Sequence, residues 1–230
     1  MRNWIKAGSS IGIVILMLLF IKAQNVSAED GMHQSEVELY VEEAEEFAKE
    51  MMEAGKIPGM SIVIVKDDNI LLNKGYGYAD LDEKIPVTQE TLFEVASCSK
   101  SYTAVALLQL RNSGAIRLDD FVSEYFPDFY VTYKGENYDI TLRQLLHHTS
   151  GIPFATISLI PDSNSEYALE NVVESLTGTE IDSIPGTKFS YATINYDILG
   201  AIIQKVSGQL FEEYITENVF IPFGLDNTYI

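Results

Sequence analysis

The sequence predicts a mixed α/β fold of the α+β type, in which a helix and two strands precede a mainly helical region. Between Glu36 and Gly55, apolar residues recur every three or four positions, which is the period of an amphipathic helix. Two apolar runs, "MSIVIV" and "ILLNKGYGYAD", flank the polar "KDDN" and predict a pair of strands joined as a hairpin. From Ser97 to about Asn112 the chain is apolar nearly all round, which predicts a helix at the centre of a domain.

Later segments predict further helices. The stretch "ITLRQLLHHTSGIP" predicts a short helix that Thr141 caps and that Gly151 and Pro153 break. Another helix is predicted near 166–175, and two more are predicted in "INYDILGAIIQKVSG", which ends at Gly208, and in "LFEEYITENVF". Because two strands alone rarely form a stable sheet, the predicted sheet is incomplete.

Residues 1–28 have the pattern of a signal peptide or an N-terminal anchor. Arg2 and Lys6 precede an apolar run within residues 7–22, and "NVSA" provides a small-x-small cleavage site that ends near Ala28. The run is short for a membrane span of about 20 residues, so both cleavage and retention as an anchor are open. Either outcome predicts an extracytoplasmic protein, secreted or attached to the outer face of the cell membrane through residues 7–22.

Composition excludes several classes of function. The formal net charge is −19, and no basic stripe is present to neutralise phosphates, which argues against nucleic-acid binding. The single cysteine, Cys98, cannot form an internal disulfide and is interpreted as a small buried residue. His147 and His148 are adjacent and lack the H-E-x-x-H spacing of a metal site. No glycine-rich phosphate loop is present, so neither a metal nor an organic cofactor is predicted.

The segment "FEVASCSKSYT" contains the one pattern that indicates chemistry. Residues three apart share a helix face, so Lys100 is expected beside the hydroxyl of Ser97. A serine becomes a good nucleophile only when a neighbouring group removes its proton. Lysine can do so when neutral, and both burial and the positive end of a helix disfavour its charged form. The alternative is an N-capping serine followed by a surface lysine, which is the commoner meaning of an isolated S-x-x-K.

The motif lies in the first of three sequence blocks, and the order of the three blocks along the chain is informative. "TLFEVASCSKSYTAVALLQLRNSGAIRLDD", "TLRQLLHHTSGIP" and "PGTKFSYATINYDILGAIIQKVSG" together resemble the serine β-lactamase and penicillin-binding protein superfamily, in its class C and serine-esterase branch. The resemblance implies that Ser97 is the acylated nucleophile, that Lys100 is the motif lysine, and that Tyr191 shares the proton transfer. Without that context, Tyr191 would be interpreted as a core aromatic residue.

The sequence departs from the family pattern in two places. Thr193 stands where the family's Y-x-N motif has asparagine, and a hydroxyl lacks the carbonyl and NH₂ of an amide for binding substrate. The K-T-G or H-x-G motif of the family's C-terminal strand has no counterpart before the sequence ends in "GLDNTYI". The family continues into three more strands and a final helix, so the sequence is expected to be C-terminally truncated.

The resemblance implies a β-lactamase/transpeptidase-like fold over residues 35–230: an antiparallel sheet layer with an inserted helical domain, and with the C-terminal strands missing. It implies a cell-envelope serine hydrolase that acts on a β-lactam, a D-Ala-D-Ala peptide or a small ester without a cofactor. Thr193 is the expected substrate-binding residue. The alternatives are a non-catalytic penicillin-binding-like envelope protein and an inactive fragment of such an enzyme.

Overall fold

The computed structural model describes residues 34–160 and 165–230, so the predicted signal peptide or anchor at 1–28 lies outside the described residues. The chain divides into two compact units, of which the first ends at Glu94 and the second comprises Val95–Ile230. Every residue of the predicted site belongs to the second unit. Among the described helices, none is long and apolar enough to cross a membrane.

The first unit combines one helix with a small antiparallel sheet. Its elements are α1 (Gln34–Gly55), β1 (Gly59–Lys66), β2 (Asn69–Asp80) and β3 (Ile85–Pro86), with the strands in the order β1-β2-β3. Glu45 of α1 accepts hydrogen bonds from Lys74 and Tyr76 of β2, at 2.7 and 2.5 Å, which ties the helix to the sheet. The predicted helix and hairpin are confirmed, whereas the two-residue strand β3 was not predicted.

The second unit is mainly helical. Its elements are α2 (Ser99–Asn112), β4 (Val131–Tyr133), β5 (Glu136–Tyr138), α3 (Leu142–Leu146), α4 (Ala168–Leu176), α5 (Ile194–Ser207) and α6 (Phe211–Ile215), and one π-helical turn follows at Thr216–Phe220. The predicted helices in these regions are confirmed. The β4–β5 hairpin was not predicted, because three-residue strands are too short to produce a clear alternating pattern.

The apolar core of the second unit is built around α5. Eight of the fourteen residues of α5 are buried, against α2, α3, α4 and α6, so this helix is the central element of the unit. By contrast α2 buries one face only, through Thr103, Ala106, Leu107 and Leu110, and the expectation of a helix buried nearly all round was wrong. One side of α2 is thereby free to carry polar side chains such as Lys100 beside the core.

A capping box fixes the start of α3, which precedes the loop that carries His148. The Thr141 side chain accepts a hydrogen bond from the backbone N–H of Gln144, and the Gln144 side chain accepts one from the backbone N–H of Thr141. Two N–H groups that a helix start leaves unpaired are thereby satisfied. The predicted cap is confirmed, but α3 ends at Leu146, well before Gly151.

Candidate active site

Ser97 lies at the centre of a short 3₁₀ turn, Ala96–Cys98, that leads directly into α2. The residue before it, Ala96, has a φ of 44°, in the left-handed region that residues with a Cβ rarely adopt. Such strain persists only where the surrounding structure enforces it, and it is concentrated at functional sites. The strained turn leaves Ser97 exposed, so its hydroxyl is accessible to a substrate.

The structure brings the three residues predicted to act together within hydrogen-bonding distance. The Nζ atom of Lys100 donates to the Oγ atom of Ser97 over 3.3 Å, as the three-residue spacing predicted. The hydroxyl of Tyr191, 94 residues further along the chain, donates to the same Oγ atom over 2.8 Å. The Lys100 Nζ atom also lies 5.3 Å from the centre of the Tyr191 ring. The serine hydroxyl therefore faces both a lysine and a phenol.

The electrostatic surroundings favour an ionised Tyr191. Burial acts to raise the pKa of Tyr191, but hydrogen bonds with Lys100 and Ser97 and the positive charge of Lys100 outweigh it and lower that pKa below its ordinary value of 10. A hydrogen bond from Thr193 acts in the same direction. Since a phenolate accepts protons and a neutral phenol does so poorly, Tyr191 is suited to take the Ser97 proton.

His148 is part of the site, and the sequence reasoning missed it. Its ring is 8 % exposed and lies 4.4 Å from the Tyr191 ring, centre to centre, in a tilted stack. The backbone N–H of Ala192 donates to Nδ1 of His148 over 3.3 Å. Burial lowers the pKa of His148 and the charge of Lys100 lowers it further, so the ring is neutral near pH 7. The neutral His148 ring therefore provides a packing surface that positions Tyr191. The motif "HTSG" was the sequence signal that could have indicated this role.

Thr193 lies beside the site, and Asn195 does not replace the missing amide. Thr193 directly precedes α5, and its hydrogen bond with Tyr191 contributes to the lowered pKa of that phenol. Asn195 is fully buried; its Oδ1 accepts a hydrogen bond from Ser150 over 2.8 Å, and its Nδ2 lies 3.3 Å from Nδ1 of His148. The Asn195 amide thus joins the 148–151 loop to α5 and is too deeply buried to bind a substrate.

Substitution of Gly151 by alanine is expected to unfold this loop and destabilise the unit. Gly151 has a φ of 83°, and a Cβ there would lie 2.2 Å from the backbone carbonyl oxygen of Ser183. Strain of this kind costs about 1–3 kcal/mol, and the clash with backbone adds to it. The free energy of unfolding, measured by urea titration, should fall by more than about 2 kcal/mol.

Gly114→Ala is the matched control, because Gly114 has a similar φ of 80° and no heavy atom within 4 Å of an added Cβ. It should show the conformational cost alone, about 1–2 kcal/mol. Equal losses in the two variants would contradict the view that the 148–151 loop is held tightly against Ser183.

The side chains at the site are of the kinds that acyl transfer to a hydroxyl uses. Within residues 34–160 and 165–230, no group of three or more His, Cys, Asp or Glu side chains is arranged to hold a metal ion. Cys98 is a free thiol adjacent to Ser97 and is half-buried. The site contains one hydroxyl nucleophile on Ser97, two groups that can hold its proton, and the neutral imidazole of His148 stacked on the Tyr191 ring.

Comparison with known proteins agrees with these features. The β-lactamase family model matches residues 44–230. Protein flp of Staphylococcus aureus (strain MW2) is 41 % identical over 177 residues, which cover 77 % of this chain and 36 % of that protein. Penicillin-binding protein 4* of Bacillus subtilis (strain 168) is 31 % identical over 176 residues, which cover 73 % of this chain and 37 % of that protein. The chain thus spans about a third of the length of these relatives.

Among solved structures, EstCE1, described as a hydrolase with promiscuous acyltransferase activity, superposes with a TM-score of 0.73. The two sequences are 25 % identical, and the match covers 83 % of this chain and 53 % of EstCE1. The mixed helix-and-sheet architecture is therefore of the β-lactamase/transpeptidase type, as the sequence predicted. On the strength of the family model and this superposition, the chain belongs to the β-lactamase family.

Proposed function

We propose that the protein is a serine hydrolase that reacts through an acyl-enzyme on Ser97. The observation that supports this most directly is the pair of hydrogen bonds that Lys100 and Tyr191 make to a single serine oxygen, at 3.3 and 2.8 Å. An N-capping serine would instead bond to backbone N–H groups, and no side-chain cap bond is present at the start of α2. The two hydrogen bonds to its Oγ atom support a reactive role for Ser97 over a capping role.

In the proposed mechanism, Tyr191 carries the transferred proton and Lys100 supplies a positive charge. In the reactive form Tyr191 is a phenolate and Lys100 an ammonium. The phenolate takes the Ser97 proton as Oγ attacks the substrate carbonyl carbon, and a tetrahedral intermediate forms. The phenol then gives that proton to the leaving nitrogen or oxygen, so the bond to the leaving group breaks and an ester of Ser97 remains. Water then attacks this ester as Tyr191 accepts one of its protons, and Tyr191 returns that proton to the Ser97 oxygen as the acid leaves.

The proposed substrates are a β-lactam, a D-Ala-D-Ala peptide or a small ester. The name of penicillin-binding protein 4* supports the first two, and the description of EstCE1 as a hydrolase with acyltransferase activity supports the third. Thr193 favours the ester, because it offers no amide to pair with the N–H and C=O of a peptide-like substrate. Esters need fewer such hydrogen bonds than amides do.

We also propose that the protein acts outside the cytoplasm, in the cell envelope. The support is the arrangement of residues 1–28, in which basic residues precede an apolar run and a small-residue cleavage site. Fractionation of cells expressing the full-length protein should place it in the medium or on the outer face of the membrane. Recovery in the cytoplasm with residues 1–28 intact would contradict this.

Intact-mass spectrometry with three acylating probes tests the activity. The full-length protein should be incubated separately with a fluorescent penicillin, a fluorophosphonate and a chromogenic ester such as p-nitrophenyl acetate. A serine hydrolase should give one adduct per chain, mapped to the peptide that contains Ser97. A protein that binds penicillin reversibly and forms no adduct with any probe would be a binding protein, and the proposal would then be wrong.

The substitution Thr193→Asn tests what the threonine does to substrate choice. The introduced amide should raise turnover of a β-lactam or peptide substrate relative to an ester by up to about tenfold, the value of one added hydrogen bond. Steady-state kcat/KM for the two substrate classes is the measurement, with the parent protein as the reference. An equal change for both classes would show that Thr193 does not govern amide recognition.

A further inference from the structure

A cavity lies beside Lys100, one of the three residues of the proposed site. Its volume is about 250 Å³, enough for several water molecules. α2 contributes Lys100 and Thr103, and the segment that begins α5 contributes Thr193 and Asp197. The remaining walls are mainly apolar and come from Leu169 of α4, Gly200 of α5, Phe211 and Ile215 of α6, Phe220 of the π-helical turn, and Ile230.

Asp197 is the residue in this cavity that the proposed mechanism does not use. It lies in the first turn of α5, and its Oδ2 atom is buried without a hydrogen-bond partner among the described residues. A buried carboxylate oxygen without a partner costs free energy, so it is normally paired with a cation or hydrated by trapped water. The cavity has the volume for that water, and one cation lies in its wall.

That cation is Lys100. The other titratable groups around the cavity are phenols: Tyr102 from α2, Tyr196 from α5 itself and Tyr229 from the C-terminal segment. His148, from the loop after α3, packs on the ring of Tyr196 at 5.3 Å and is neutral. Among the side chains that line the cavity, Lys100 and Asp197 are thus the one cationic and the one acidic group, and they share the same space.

We propose that Asp197 is a positioning residue that acts through cavity water to hold Lys100 as an ammonium ion directed at Ser97 and Tyr191. The inference rests on the proposed function, because it explains how Lys100 stays charged while Tyr191 serves as the base. Asp197 does not touch the substrate or the reacting atoms.

The electrostatics of Asp197 agree with this geometry. Burial raises the pKa of Asp197 above its ordinary value, and the charge of Lys100 acts against that rise. The carboxylate is therefore costly to ionise and depends on Lys100 for its charge.

Removal of the negative charge of Asp197 should shift the pH profile of acylation in a predictable direction. A negative charge near Tyr191 makes its phenol harder to deprotonate, so removal of that charge should let Tyr191 lose its proton at lower pH. In Asp197→Asn, the pH profile of Ser97 acylation should move to lower pH by about one unit. A side chain with a purely structural role would lower the rate without moving the profile.

The experiment uses the full-length protein and two readouts. The first is the rate of fluorophosphonate acylation of Ser97 between pH 5 and 10. The second is the tyrosinate absorbance titration of Tyr191, isolated by subtracting the titration of the same protein that also carries Tyr191→Phe. Both midpoints should fall by about one pH unit in Asp197→Asn and in Asp197→Ser, whichever is better folded. Asp128→Asn, which removes an exposed carboxylate outside the cavity, should shift neither.

The two readouts separate this inference from the proposed function. If the parent protein is not acylated but the Tyr191 midpoint still falls in the Asp197 variants, the proposed function fails and the charge coupling stands. If the parent is acylated and neither midpoint moves, Asp197 does not act through Lys100 and the inference is overturned. The same shift in Asp128→Asn would also overturn it, since the effect would then be one of net charge.

Discussion

Ser97→Ala is expected to abolish acylation by penicillin and fluorophosphonate probes and to reduce ester turnover by about 10⁴-fold or more. No other hydroxyl in the described chain receives hydrogen bonds from both a lysine and a tyrosine, as Ser97 does over 3.3 and 2.8 Å. Without Oγ there is no covalent intermediate, and no neighbouring group can substitute for it. The measurements are intact mass after labelling and steady-state kcat/KM for a chromogenic ester.

Ser101→Ala is the matched control for this variant. Ser101 lies one turn of helix further on, is exposed, and donates its hydroxyl only to the backbone carbonyl of Cys98, at 2.6 Å. Its removal should leave labelling and turnover close to the parent values. Labelling that persists in Ser97→Ala, at any serine or at Cys98, would show that the nucleophile has been misassigned.

Local sequence patterns predicted much of the fold and one contact of the site. α1 forms where the helical period of apolar residues predicted it, and α5 ends before Gly208 as that glycine indicated. The contact between Ser97 and Lys100 followed from helix geometry alone, because residues three apart lie on one face. Such features depend on neighbours in the chain, and the sequence displays those neighbours directly.

The remainder of the site depends on contacts between distant parts of the chain. Tyr191 reaches Ser97 across 94 residues, and no periodicity encodes that approach, so only the resemblance to a family indicated it. His148 has a φ of 53°, and this strained backbone, rather than any spacing of histidines, turns its ring towards Tyr191. Asp197 likewise has no distinguishing local pattern, because the cavity beside it is built from elements that are distant in the chain.

Lys100→Met and Tyr191→Phe should each slow acylation of Ser97 by about 10²–10⁴-fold, the usual contribution of a general base. Lys100→Met keeps an unbranched side chain but removes the charge that lowers the pKa of Tyr191. Tyr191→Phe keeps the ring that stacks on His148 and removes only the hydroxyl that reaches Ser97. Both variants should therefore fold like the parent, with a free energy of unfolding that changes by less than about 1 kcal/mol.

The pH dependence distinguishes the roles of the two residues. Because the pKa of Tyr191 is lowered from 10, acylation by the parent should rise with pH and level off below pH 10, as the phenol loses its proton. In Lys100→Met that rise should move to higher pH, since the cation that favours the phenolate is gone. In Tyr191→Phe the rise should disappear, because the group that titrates has been removed.

Two surface substitutions complete the comparison. Lys205→Met removes an exposed lysine that pairs with Glu170 at 3.3 Å, and Tyr130→Phe removes an exposed phenol outside the site. Exposed ion pairs contribute little to stability, so neither change should alter the acylation rate or its pH profile. If Lys100→Met and Tyr191→Phe acylate as fast as these two controls, another base activates Ser97 and the hydrogen bonds at its Oγ atom are only structural.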